Sequence, residues 1–233
     1  MTSKYLQRTL DRWTADPDSI IEGPRPGEAH EALRGQLPDN IFEVWNRIGF
    51  SGLYRGRVWL CDPLVWQDAA DSWTQRLDLA MDEDRWIPIL RSAFGEMRLW
   101  GPRTGMSLWI DTIQGMVLPF DNSDLMDDPD DVMESALMGI DENAHEFKDD
   151  NDSPMFDRAL AKLGPTSTDT MYTFAPLPLL GGELTIDNLI LEQATTHVAL
   201  LSMLSTVEVS GDVAATQRAR AAIVDEWLGN QDH

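Results

Sequence analysis

The side chains of this chain that could do chemistry are four histidines, one cysteine and forty carboxylates. His30, His145, His197 and His233 are widely scattered, and none stands in an HExxH or HxH arrangement. His30-Glu31 lacks the second histidine, one helical turn on, that zinc hydrolysis requires. His197 lies among Thr196, Val198 and Leu201, the setting of a satisfied helix histidine and not of a ligand. Cys61 is the only cysteine, which excludes an internal disulfide and a multi-cysteine zinc site. It follows Trp59-Leu60 at an expected strand end, where a buried, inert thiol belongs. No GxSxG elbow, Walker loop or GxGxxG fingerprint occurs. A calcium loop of the EF-hand kind needs glycine at its sixth position and a bidentate glutamate at its twelfth. Counted from Asp121 those positions hold Met126 and Val132, and Asp150 and Asp152 run into Pro154. No catalytic residue, metal or cofactor is therefore expected.

The carboxylates are informative as a population. Eighteen basic residues against forty acidic ones leave a formal charge of −22. That balance disfavours free nucleic acid and anionic membranes as partners. It favours a basic protein, which the field would steer in, with solubility alone as the bland counterpart. Between Asp121 and Asp157 fourteen Asp or Glu stand against Lys148 alone, a net of −13 and over half of the total. Val132, Met133, Ala136, Leu137, Met138 and Ile140 interrupt the acids at helical spacing, as do Phe156, Leu160 and Leu163. Acidic helices are expected there, with residues 145–153 as the most loop-like piece.

The elements that must position these groups start at Leu37-Pro38-Asp39, a turn with an acid in the first helical turn. Ile41, Phe42, Val44, Trp45 and Ile48 then give one apolar helix face, which Gly49 terminates. Leu53 to Leu60 is rich in strand formers around Gly56 and reads as a hairpin. A further helix opens at Asp62-Pro63, with Leu64, Val65, Trp66, Ala69, Ala70, Trp73 and Leu77 as its apolar positions. Strands follow at about 86–94, 96–101 and 106–110. An N-terminal helix over 4–13 would turn Tyr5, Leu6, Leu10 and Trp13 to one side, and 16–27 is a turn-rich surface stretch. Beyond the acidic run, Met171 to Phe174 suits a short strand, and 176–182 a rigid apolar loop. Thr185-Ile186-Asp187 opens a long expected helix carrying Leu189, Ile190, Leu191, Val198 and Leu201, and a last amphipathic helix spans about 212–228. Eight of nine tryptophans lie between Trp13 and Trp109; their helix and strand spacing favours core packing over a stacking groove. The fold class is α+β: mixed helices around a small antiparallel sheet in the N-terminal half, and a mainly helical C-terminal half. The N-terminus has no apolar run behind its charges and no segment approaches about 18 continuous apolar residues, so a cytoplasmic location is expected.

Leu37-Pro38, Trp45, Gly49-Phe50, Gly52, Gly56, Trp59, Asp62-Pro63, Phe94-Gly95 and Trp100-Gly101 together resemble the GAD-like domain of bacterial proteins. Phe174-Ala175-Pro176-Leu177-Pro178 and Leu180-Gly181-Gly182 are similar to the companion C-terminal domain of immunity proteins that protect type VI secretion attackers from their own DNase toxins. The Leu-Pro, helix, glycine phrase also resembles the wider SUKH immunity superfamily. The resemblance implies a GAD-like α+β domain over 1–118 and an acidic, immunity-type domain over 119–233. It implies an immunity role with a cognate basic nuclease as partner, and no enzyme activity. The motif residues it matches are turn glycines and core aromatics.

Charge and resemblance agree, because a nuclease carries a basic face for phosphates. The expected mode is direct cover of that face. The candidate contact residues are Asp127, Asp128, Asp130, Asp131, Glu134, Asp141, Glu142, Asp149, Asp150 and Asp152, with Leu177, Leu179 and Leu180 as apolar anchors. The competing readings are a small-ligand enzyme with a Trp-lined groove and a regulatory scaffold without a toxin partner.

Overall fold

Residues 3–75 and 84–205, with the backbone of 208 and 209, are described by a computed structural model. Helix α1, Lys4–Trp13, starts where the Ser3 hydroxyl accepts hydrogen bonds from the backbone N–H of Tyr5 and Leu6. It buries Leu6, Leu10 and Trp13 at i, i+4 and i+7. Tyr5, one residue and about 100° off that stripe, stays 55% exposed, contrary to expectation. Helix α2, Asp39–Ile48, buries all five expected apolar residues. It stops at Gly49, whose φ of 71° would strain any other residue and whose Cβ would stand 2.6 Å from the Pro24 carbonyl oxygen. Helix α3, Pro63–Thr74, is capped by Asp62, which accepts from the Leu64 N–H. Trp66, Ala69, Ala70 and Trp73 form its buried stripe. Leu64 and Val65 lie off that stripe and are exposed, and Leu77 falls outside the described residues.

The central sheet is a meander. Strands β1 (Gly52–Leu53), β2 (Val58–Leu60), β3 (Ile87–Ser92), β4 (Met97–Gly101), β5 (Gly105–Asp111) and β6 (Met116–Pro119) pair in sequence order, each antiparallel to the last. The expected hairpin at 53–60 is tight because Gly52 sits opposite Trp59 in register. A Cβ on Gly52 would meet that indole at 2.7 Å. Strand β6 was not anticipated, since four residues ending in proline carry little periodicity.

The sheet is buried on both sides. One cluster joins α1 and α2 to Val58, Leu60, Ile87, Ile89 and Trp100. The other joins α3 to Phe94, Met97, Leu99, Leu108 and Ile110. The acidic segment enters this scheme as helices, as expected. Helix α4, Pro129–Met138, places Val132, Met133 and Leu137 in the first cluster, followed by Ile140. Helix α5, Phe156–Leu163, places Phe156 and Ala159 in the second. Each large apolar side chain so buried contributes about 1.5–3 kcal/mol, enough together to hold a strongly self-repelling segment onto the body.

The C-terminal half is less helical than expected. Strands β7 (Thr170–Phe174) and β8 (Leu189–Gln193) form a separate antiparallel pair. The helix expected from Thr185 begins only at Ala194, as α6, Ala194–Leu204. Leu189-Ile190-Leu191 suits strand and helix alike, and pairing with Met171 to Phe174 decides for strand. A two-residue strand β9, Glu208–Val209, adds in parallel to the free edge of β6. The last expected helix, about 212–228, lies outside the described residues.

Candidate partner-binding surface

The acidic candidates divide according to what each carboxylate touches. Asp128 caps α4, accepting from the Asp131 N–H at 3.2 Å, and Asp130 and Asp131 occupy the first turn, where the helix dipole favours them. Asp127, Asp128, Asp130 and Asp131 are all exposed at this end. The other end of α4 is tied down by α1. Arg12 donates to the carbonyls of Met138 and Ile140, both at 2.9 Å, and the Trp13 indole N–H to Ile140 at 3.2 Å. Asp141 and Glu142 follow, exposed, with Asp141 accepting from the Asn143 N–H. Glu134 turns inward and accepts from the Ser3 hydroxyl, joining α4 to the start of α1.

Asp149 also faces inward. It accepts from Arg158 at 2.6 Å and from the N–H groups of Asn151 and Ser153, and the Arg158 bond holds its carboxyl below the usual carboxylate range. Asp150 accepts from the Leu184 N–H at 2.9 Å, and exposed Asp152 pairs with Lys148. Leu177 and Leu179 pack against the second core cluster, while Leu180 is 66% exposed. The candidates therefore form no single continuous face. The group at the start of α4 stands together, Asp141 and Glu142 follow its end, and 149–152 belong to the turn before α5.

At the start of α4 the surface is concave. Asp130 accepts from the Asn40 N–H at 2.9 Å, and its carbonyl accepts from the Asn40 side chain at 2.6 Å, so the first turns of α2 and α4 are clamped together. Beside that clamp lies a groove of about 310 Å³. Leu37, Met126 and the buried Trp100 provide apolar lining, and Pro38, Pro102 and Pro129 add rigid walls. Trp100 is oriented by its indole N–H, which donates to the Gln36 carbonyl at 3.1 Å. Asp39 and Asp130 bring two carboxylates to the lining. Sequence reasoning singled out the acids and missed the groove, because its two sides lie about ninety residues apart along the chain and only the clamp unites them.

Other groups with chemical potential are occupied in holding the fold. His30 bonds Asp62 at 2.9 Å, while Asp62 caps α3. His145 bonds Glu96, and His197 meets the Thr173 hydroxyl at 2.9 Å, with burial lowering its pKa. Cys61 is buried, and burial pushes its thiol up to about 12, which leaves it inert as expected. Arg91 is fully buried between the rings of Trp59 and Trp66, at 5.2 and 4.9 Å. It donates to the carbonyls of Ser92, Ser167 and Thr168, and burial lowers its pKa to about 10. Trp45, Trp59, Trp66, Trp73, Trp86 and Trp100 are all buried, and Trp109 lies half-buried beneath Arg98 at 4.2 Å. Among the described residues no group of three or more metal-ligating side chains converges.

Comparison with known proteins finds two matching families along the chain. Residues 13–114 match the GAD-like domain, and residues 132–205 match the C-terminal domain of T6SS immunity protein Tdi1. No curated protein matches the chain. Among solved structures, the crystal structure of Atu4351 from Agrobacterium tumefaciens superposes with a TM-score of 0.73 at 20% identity, covering 84% of this chain and 87% of that one. That likeness establishes a shared fold. Two successive parts of the chain are thus similar to known families, the first to the GAD-like domain and the second to the C-terminal domain of T6SS immunity protein Tdi1.

Proposed function

We propose that this protein neutralises a nuclease toxin of a type VI secretion system by binding it in the cytoplasm and covering its basic, DNA-holding face. The observation that carries the reading is the immunity-family match over 132–205, which runs from within α4 to the end of α6 and takes in eight of the fourteen acids of the run. A surface of this sign suits a basic protein and repels free nucleic acid. The exposed acids at the start of α4 and after its end supply the steering charge. Binding and not catalysis is the role, consistent with the structural partners of His30, His145 and His197 and with the burial of Cys61. Among the described residues no helix is long and apolar enough to cross a membrane.

The test is co-expression with a nuclease encoded beside its gene, purification of the pair and assay of DNA degradation. A one-to-one complex without DNase activity is the expected result. Absence of a complex, together with no protection of cells that make the toxin, would overturn the proposal.

A further inference from the structure

The groove between the starts of α2 and α4 has a chemistry of its own, and we infer that it seats an arginine side chain of the protein partner. The inference rests on the immunity reading for who the partner is, and on the groove alone for what it recognises. The lining is about evenly polar and apolar, and Pro102, Pro129 and Met126 are its accessible apolar part, so it offers contact to the methylene stem of a long side chain. About 310 Å³ lies near the lower end of small-ligand sites, too little for a globular insert and ample for one extended side chain. The polar groups in that lining are chiefly carboxylates and amides, and Asp39 and Asp130 set the charge it selects.

Asp130 is held in place by the Asn40 N–H on one oxygen, and among the described residues it forms no ion pair, so the other oxygen is available for a charged donor. Asp39 is shared: Arg34 reaches it at 3.0 Å while also bonding Glu31 and lying 4.3 Å over the Phe42 ring. Arg34 thus already shows in this chain the pairing and stacking that the groove offers to a second guanidinium. Arg85, on the Gln36 side chain at 3.2 Å, is a second cation near the rim, and Arg103 follows the lining Pro102. Asp127, Asp128 and Asp131 are exposed beside Asp130 at the start of α4 and add to the negative charge there. A planar guanidinium lies flat on prolyl faces such as those of Pro102 and Pro129 and presents its donors in a fixed fork, which a lysine ammonium lacks, so arginine is the fitting occupant.

The inference is tested first without the toxin. The Trp100 indole N–H, fixed on the Gln36 carbonyl, gives a proton–nitrogen resonance that W100F identifies. The peptide acetyl-Gly-Arg-Gly-amide is titrated against that signal, beside its citrulline counterpart, which keeps the shape and lacks the charge. A saturable shift with the arginine peptide is expected, several-fold smaller with citrulline and lost in D39N/D130N. The asparagine at 130 retains an oxygen for the Asn40 N–H, so the clamp persists. No shift at Trp100, or equal shifts with both peptides, overturns the inference.

The second readout is affinity for the nuclease. D39N/D130N should weaken the complex about tenfold, while D68N/E192Q, exposed acids outside the groove and outside the candidate surface, should change it less than about threefold. A nuclease that binds wild type and D39N/D130N equally well refutes the groove and leaves the immunity reading standing. A nuclease that binds neither counts against the immunity reading, and the peptide titration then decides the groove by itself.

Discussion

Neutralising exposed acids that have no structural task should change the rate of association and little else. The perturbation is the triple variant D127N/D131N/E142Q, which takes the formal charge from −22 to −19. All three carboxylates are exposed, and their side chains cap no helix. The stability change is therefore confined to a few tenths of a kcal/mol, from the loss of Asp131 in the first turn of α4. Exposed pairs of opposite charge contribute roughly 0.2–1 kcal/mol each. Three of them at about 0.5 kcal/mol come to about 1.5 kcal/mol, or just over tenfold in association with a basic nuclease. The assay is stopped-flow mixing over a range of salt. At 0.01 M salt, where charges are felt over about 30 Å, the variant should associate about tenfold more slowly than wild type. At 1 M salt, where screening is complete within about 3 Å, the two should coincide. Equal rates at low salt, or a deficit that survives high salt, would refute steering by this surface.

The inward acids should behave in the opposite way. D149N removes the acceptor of Arg158 and of two backbone N–H groups, and should lower the melting temperature without altering association. Because the folded-state pKa of Asp149 is depressed, the difference from wild type is present at pH 7 and shrinks as acid protonates the carboxyl below its ordinary value of about 3.9, which thermal melts from pH 7 to pH 2.5 will show. R91M leaves the carbonyls of Ser167 and Thr168 without their charged donor; set against the relieved desolvation of the guanidinium, a net loss of about 2–4 kcal/mol in urea unfolding is expected. G49A places a Cβ 2.6 Å from the Pro24 oxygen at a φ of 71° and should cost about 1–3 kcal/mol by the same measurement.

How much of this was legible follows from the range over which each signal acts. Helices α1, α2 and α3 are legible because their signals are local: the stripe of α1, the Gly49 stop of α2 and the Asp62-Pro63 start of α3 each lie within a dozen residues. The same stripes misplaced Tyr5, Leu64 and Val65, since apolar character does not say how wide a face the partner covers. Strand β8 was misread as helix because its partner, β7, lies about twenty residues upstream, and nothing in Leu189-Ile190-Leu191 itself announces the pairing.

The acidic surface shows the limit more sharply, since charge is legible in a sequence and direction is not. Glu134 and Asp149 are as acidic on paper as Asp127, yet one grips Ser3 and the other Arg158, and both partners belong to other elements. Asp130 reads as one more residue of the run, although its bonds to Asn40 make it the side chain that closes two helix starts around the groove. A chain with forty carboxylates can thus spend some of them on the fold and present the rest outward. Specificity for one basic partner then has to come from shape as well as sign, because any basic protein is attracted by net charge while a groove of fixed width admits few side chains.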